Sequence, residues 1–187
     1  MDTSGKFTVQ CNLYDLSQGM AKNMSRMIIG MQVDGIWHTG IVVYGKEYYY
    51  GGGICNGSPA GTPYGRPMQT IALGHTELPK DLFVQFLNDI APKFSPEKYD
   101  LLNNNCNNFS DECANFLTGK GIPRHIIDLP KEVLATPMGK QLMQMMGGQG
   151  GNIMDPRQYE GNNNAQQMDL NYGSGIHQLP QQPSIGR

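Results

Sequence analysis

Residues 101–119 read LLNNNCNNFSDECANFLTG. Phe109, Cys113, Phe116 and Leu117 fall at i, i+4, i+7 and i+8, the spacing of one buried helix face. Asn103, Asn104 and Asn105 stand just ahead and are good capping residues. Gly119 and Gly121 follow as stops, with Pro123 beyond them. The pattern predicts a helix, with its entry, over 103–117, and puts Cys106 in its first turn. A thiol there meets the positive end of the helix dipole and free backbone N–H groups. With a cation such as protonated histidine nearby, such a position lowers a cysteine pKa from about 8.5 to about 3.5–7.5. The same N–H groups can receive the oxyanion formed when a carbonyl is attacked. The other reading is an inert buried cysteine, the commoner fate of a lone thiol. These residues alone leave both open. Cys113 lies two turns on, along the apolar stripe, and reads as core.

Working outward, IWHTGIVVY over 36–44 is the best strand in the chain. Ile36, His38, Gly40 and Val42 share one face; Trp37, Thr39, Ile41 and Val43 share the other. Gly45 and Lys46 turn the chain into Glu47–Tyr50, a hairpin arm. Upstream, Val9, Cys11 and Leu13 alternate with Thr8, Gln10 and Asn12, a strand with Cys11 on its buried side. Met20, Met24, Met27 and Ile28 recur at helical spacing over 17–29 before Gly30 and read as core filling. Residues 51–75 are rich in Gly and Pro and read as a long functional loop, with a short strand at 68–73. Leu82, Phe83, Phe86, Leu87 and Ile90 form a helical stripe over 79–90. Short helices are expected over 130–134 and 137–146, broken at Pro137. From Gly147 the chain turns to Gly, Asn, Gln and Pro, so 1–146 reads as the domain and 147–187 as a disordered tail.

The chain has 187 residues, and its formal charge of -2 gives no basic field for nucleic acid. No apolar run approaches ~20 residues, so no membrane insertion is expected, and no signal peptide is read at MDTSGKFTVQ. Cys11, Cys55, Cys106 and Cys113 are far apart and read as reduced thiols, consistent with a cytoplasmic or nuclear setting. Cys55, in the glycine-rich stretch, is expected exposed and is a weaker rival nucleophile. Close ligand pairs are lacking, so no metal or other cofactor is expected. Neither a phosphate-binding G-K-[ST] loop nor a G-x-S-x-G elbow occurs. Of four histidines, His177 falls in the tail, His75 follows a glycine before a helix, and His125 follows Pro123 in a connection. His38 is a polar ring on a strand face next to Gly40, where another backbone or a substrate can come close. A satisfied core histidine remains the alternative there.

Three stretches resemble one family: GIWHTGIVVYGKEYYYGGGI, NNNCNNFSDECANFLTGKGIP and IIDLPKEVLATPMGKQL. They are similar to PPPDE-type cysteine isopeptidases of the small desumoylating kind, and the likeness runs from VQCNLYDLSQGMA to about Gln141. The resemblance implies an α+β fold, a circularly permuted papain-like peptidase with a small antiparallel sheet packed with helices. Permutation puts the histidine before the cysteine in the chain and leaves their spatial pairing intact. The family's catalytic pair falls on His38 and Cys106. Trp37, Asn105 and Asn107, which flank them, are expected to contribute to the oxyanion site or substrate groove. The family commonly carries Ser where this chain has Gly40, and no Asp or Asn orienter is obvious. The resemblance also implies a homodimer with the groove at its interface.

The expected chemistry is removal of a ubiquitin-like modifier, SUMO or ubiquitin, from target lysines through a thioester, at an open cleft where the two groups meet. Gly51–Gly65 would line a groove narrow enough for Gly-Gly. Two other readings stay open: a protein S-acyl thioesterase or lipid acyltransferase-like enzyme using the same dyad, and a non-catalytic binding adaptor.

Overall fold

The computed structural model describes residues 5–145 and residues 166–168 and 170. The order of elements is β1 (Phe7–Asp15), α1 (Met20–Ile29), β2 (Trp37–Val43), β3 (Lys46–Gly51), β4 (Gly53–Gly57), β5 (Gln69–Thr76), α2 (Lys80–Ile90), α3 (Cys106–Thr118), α4 (Arg124–Ala135), α5 (Pro137–Met145) and β6 (Gln166–Gln167). The strands form one sheet in the order β5-β1-β2-β3-β4-β6, antiparallel throughout. This is the expected α+β architecture.

One face of the sheet is apolar. Val9, Cys11 and Leu13 of β1, Ile41 and Val43 of β2, and Tyr48 and Tyr50 of β3 all point to it. Phe83 and Leu87 of α2, then Phe109, Cys113 and Leu117 of α3, cover them. The rings of Tyr50, Phe94 and Phe109 pack edge-on, with centroids 5.1 and 5.2 Å apart. Such pairs each add about 0.5–1.5 kcal/mol beyond burial. The two-residue period of the strands and the stripe of α3 are therefore read out directly as one core.

Four local expectations change. GGGICNG is not a loop: Gly51 and Gly53 face each other across a tight connection, and β4 pairs with β3. Cys55 is buried in that strand, 3% exposed, so it is no surface nucleophile. Backbone pairing and Tyr49 opposite it outweigh the low strand preference of glycine. The methionine stripe of α1 faces outward, with Met20 64% and Met27 79% exposed. The helix instead buries Ser25 and Ile29, because Ser25 bonds both the amide and the carbonyl of Val33 in the following turn. α4 begins at Arg124 and runs through Pro130, since buried Ile126 and Ile127 anchor its first turn to the core. Most of 147–187 lies outside the described residues; within it, β6 pairs with β4 through Cys55–Gln167 and Asn56–Gln166.

β2 is held in place at both ends. Asp15 accepts from the amides of Ser17, Gly19 and Ile36 and from the Ser17 hydroxyl. Burial works to raise its pKa, but these bonds outweigh it and hold the carboxyl below the usual range. Ordered pairing of β2 with β3 covers only Ile41–Val43. The segment Trp37–Gly40 therefore has a β1 neighbour on one side and, on the other, room for α3.

Candidate active site

α3 starts where the sequence places it. Asn105 is the N-cap; its side chain accepts from the amides of Asn107 and Asn108, and Asn108 returns a bond to the Asn105 amide. Asn104 ties the entry to the carbonyls of Lys93 and Lys98. Cys106 is the first helical residue.

That helix end is bolted to β2. Asn107 donates to the Trp37 carbonyl at 3.1 Å and accepts from the Thr39 hydroxyl at 2.9 Å. Ser110 donates to the Thr39 carbonyl at 3.2 Å. The Cys106 thiol lies 3.7 Å from Asn107 Oδ1, and the Tyr99 hydroxyl points at its sulfur from 4.0 Å. The backbone amide of Thr39, next in sequence to His38, also reaches the sulfur.

His38 comes off β2 on the other side. It pairs with Tyr14 across β1, and its ring lies against Tyr14, Tyr49 and Tyr64. Among the described residues neither ring nitrogen has a hydrogen-bond partner. The structure thus brings the strand of His38 and the helix of Cys106 together at the Thr39 amide, with no bond between imidazole and thiol. Both residues are buried, His38 completely, so the expected open mouth is not over the imidazole.

The electrostatics follow from that burial. Desolvation pushes the Cys106 thiol up to about 11, against hydrogen bonds from Tyr99 and from the amides of Thr39, Asn107 and Cys106. Desolvation also pushes His38 down to about 3. The thiol is therefore raised where a helix end with a cation nearby would lower it: removing the charge from water outweighs these hydrogen bonds. The resting pair is a neutral thiol and a neutral imidazole, which still has a free acceptor nitrogen for a proton.

Beside Cys106 runs an apolar cleft of about 100 Å³. Leu16, Val33, Ile36, Trp37, Leu129 and Val133 are among its walls. Trp37 packs over Gly35, where an added Cβ would lie 2.3 Å from the indole ring. The flanking residues Trp37, Asn105 and Asn107 all line the cleft, and the side chains of Asn105 and Asn107 also hold the cap and β2. The 51–65 stretch does not line this cleft; it forms β4 and a loop on the opposite sheet face. His75 and His125 are exposed, and His177 lies outside the described residues. Among the described residues no cluster of metal-ligating side chains occurs.

Sequence reasoning missed Tyr99, the Thr39 amide, Glu47 and Tyr64. Glu47 carried a signal, a charge at a strand position beside three tyrosines. Tyr64 carried none, since its role depends on how the loop returns over the sheet.

A family model described as "PPPDE putative peptidase domain" matches residues 7–147. The chain is 42% identical over 148 residues to Desumoylating isopeptidase 1 of Homo sapiens, covering 78% of this chain and 88% of that protein. It is 41% identical over 163 residues to Desumoylating isopeptidase 1 of Xenopus laevis, covering 83% and 96%. With DeSI-like protein sdu1 of Schizosaccharomyces pombe it shares 34% over 137 residues, covering 69% and 67%. With a matching family model over most of its length and a thiol at the head of a buried helix, the chain belongs to the PPPDE peptidase family.

Proposed function

We propose that this chain is a cysteine isopeptidase that removes a ubiquitin-like modifier, SUMO first among them, from target lysines in the cytoplasm or nucleus. Cys106 is the nucleophile and His38 the base. One observation carries the reading: in a PPPDE peptidase, the Cys106 sulfur sits at a capped helix start against the amide that follows His38. The names of the human and Xenopus relatives supply the substrate class.

The chemistry starts from the neutral pair. As the modifier's terminal glycine enters beside Cys106, His38 takes the thiol proton and the sulfur bonds to the carbonyl carbon. The oxyanion meets backbone N–H groups at the head of α3. The C–N bond to the lysine breaks, and His38 passes its proton to the leaving amine. Water, with His38 again as base, splits the thioester and frees the modifier. For this the imidazole closes on the sulfur by a small adjustment that keeps it among the rings of Tyr14, Tyr49 and Tyr64.

The test is trapping with SUMO and ubiquitin that carry a C-terminal electrophile. A covalent adduct mapped to Cys106 is expected, stronger for SUMO. An adduct at another cysteine, or none with either modifier, would overturn the assignment. Self-association belongs to the same reading, and a monomer in sedimentation at micromolar concentration removes it.

A second reading has its own support. The apolar cleft at Cys106 suits an acyl chain as well as a peptide, which favours thioesterase action on S-acylated proteins by the same pair. An acyl-thioester probe run beside the modifier conjugates separates the two. Turnover of the acyl probe alone would make this the primary activity.

A further inference from the structure

The sheet face turned away from α3 holds a polar cluster that the mechanism above does not use. At its centre is Glu47 of β3, fully buried. Its carboxylate accepts from Asn12 Nδ2 at 2.9 Å, from the Tyr14 hydroxyl at 2.8 Å and from the Ala60 amide at 2.7 Å. All three donors are neutral, so no cation offsets the burial of the carboxyl, and burial raises its pKa. The side chain gets there by crossing β2 at Gly40, where a Cβ would lie 2.4 Å from Oε1 and 2.9 Å from Cγ. The space expected at Gly40 for another backbone or a substrate is taken instead by the Glu47 side chain.

Two of the three bonds lead to His38. Tyr14 is its cross-strand partner, with ring centroids 5.9 Å apart. Ala60 belongs to the loop that carries Tyr64, whose ring lies 3.7 Å from the imidazole at 37°. Tyr49 of β3 closes a third side edge-on at 5.9 Å. A catalytic histidine is ordinarily oriented by a hydrogen bond to one ring nitrogen. Among the described residues neither nitrogen of His38 has one. Among them the ring is held by aromatic packing, and Glu47 bonds the Tyr14 hydroxyl and the loop that carries Tyr64.

We propose that Glu47 is the positioning residue for His38: by clamping Tyr14 and the Tyr64 loop, it maintains an aromatic cage in place of the carboxylate or amide orienter of a triad. The assignment rests on reading Cys106 and His38 as the working pair. Gly40 follows from it, since any side chain there would displace the clamp. The titratable groups described on this face include Tyr14 of β1, Glu47 and Tyr49 of β3, Cys55 of β4 opposite Tyr49, and Tyr64 of the loop. Cys106 and Tyr99 approach from the α3 side.

The experiment uses the full chain and four proteins: native, Glu47→Gln, Tyr64→Phe and Tyr64→Ala. Two quantities are read. One is kcat and KM on a SUMO-lysine conjugate; the other is the NMR titration of the His38 ring protons. Tyr64→Phe, which keeps the ring, is expected to retain at least about threefold more kcat than Tyr64→Ala. Glu47→Gln puts an amide donor against existing donors, and Tyr64→Ala removes a wall. Both are expected to lower kcat about 10- to 100-fold with KM within about threefold, the size of a misoriented base. In both, the His38 titration moves up toward its ordinary value near 6.5 as water reaches the ring.

Native kcat in folded Glu47→Gln and Tyr64→Ala would overturn the proposal. So would a kcat loss with His38 titrating as in the native chain, or an equal loss in Tyr64→Phe. If the native chain neither cleaves nor is trapped at Cys106, the functional reading fails on its own. The NMR arm then still decides the clamp, because an unmoved His38 titration in Glu47→Gln ends it.

Discussion

Cys106 and Cys113 sit on the same helix, two turns apart, and both are buried. Burial raises both thiols, so burial does not tell them apart. Their surroundings do. Cys113 lies in the core cluster between sheet and helices. Cys106 has a phenol, an amide side chain and a backbone N–H around its sulfur, and a cleft beside it. The difference is one of partners: a phenol and backbone N–H groups that can stabilise a thiolate once a proton leaves, and space for a carbonyl to arrive. A buried thiol with neither is packing.

The sharpest way to break that contrast is substitution. Cys106→Ala should lower conjugate cleavage by about 10⁴-fold, with the fold intact by circular dichroism. Retention of activity would remove the contrast altogether. Alkylation sharpens it. Because the Cys106 thiol rests protonated, its iodoacetamide rate in the native chain should climb about tenfold per pH unit from pH 7 and level off near 11. Cys113 should stay unmodified until unfolding; a plateau near neutrality would mean a preformed thiolate. Asn107→Ala cuts the bolt between α3 and β2. It should reduce kcat about 10- to 100-fold and cost about 2–3 kcal/mol in urea unfolding.

An effect confined to stability comes from His38. Its folded pKa lies below the ordinary value, so the unfolded chain takes up the proton first as pH falls. Stability from this group is complete above about 6.5 and lost on going down toward 3, at up to about 1.4 kcal/mol per pH unit. His38→Gln should lack that slope in urea midpoints taken between pH 6.5 and 4.5. Smallest of all, Cys113→Ala should cost about 1–2 kcal/mol of stability and leave kcat within about threefold.

How much of this was legible depends on range. The capped start of α3, the stripe of Phe109, Cys113 and Leu117, and the alternation of β1 and β2 are local patterns, and the structure follows them. The methionines of α1 show where periodicity stops helping. A stripe at helical spacing says that a helix has an apolar side, not that anything covers it; Ser25 and Val33 turned that side outward. GGGICNG misled in the other direction, because strand pairing with β3 outweighed the local preference of glycine for turns.

By itself, the amino-acid sequence determined β1, β2, α2 and α3, the helix-start position of Cys106 and, through its motifs, the family. Those depend on backbone capping and periodicity within a few turns of chain. Tertiary structure alone decided the protonation of the site, the route of Glu47 over Gly40 and the stacking of Tyr64 on His38. Each depends on which groups exclude water from which others. That is set by strand register and loop return across dozens of residues, and no window of sequence contains it.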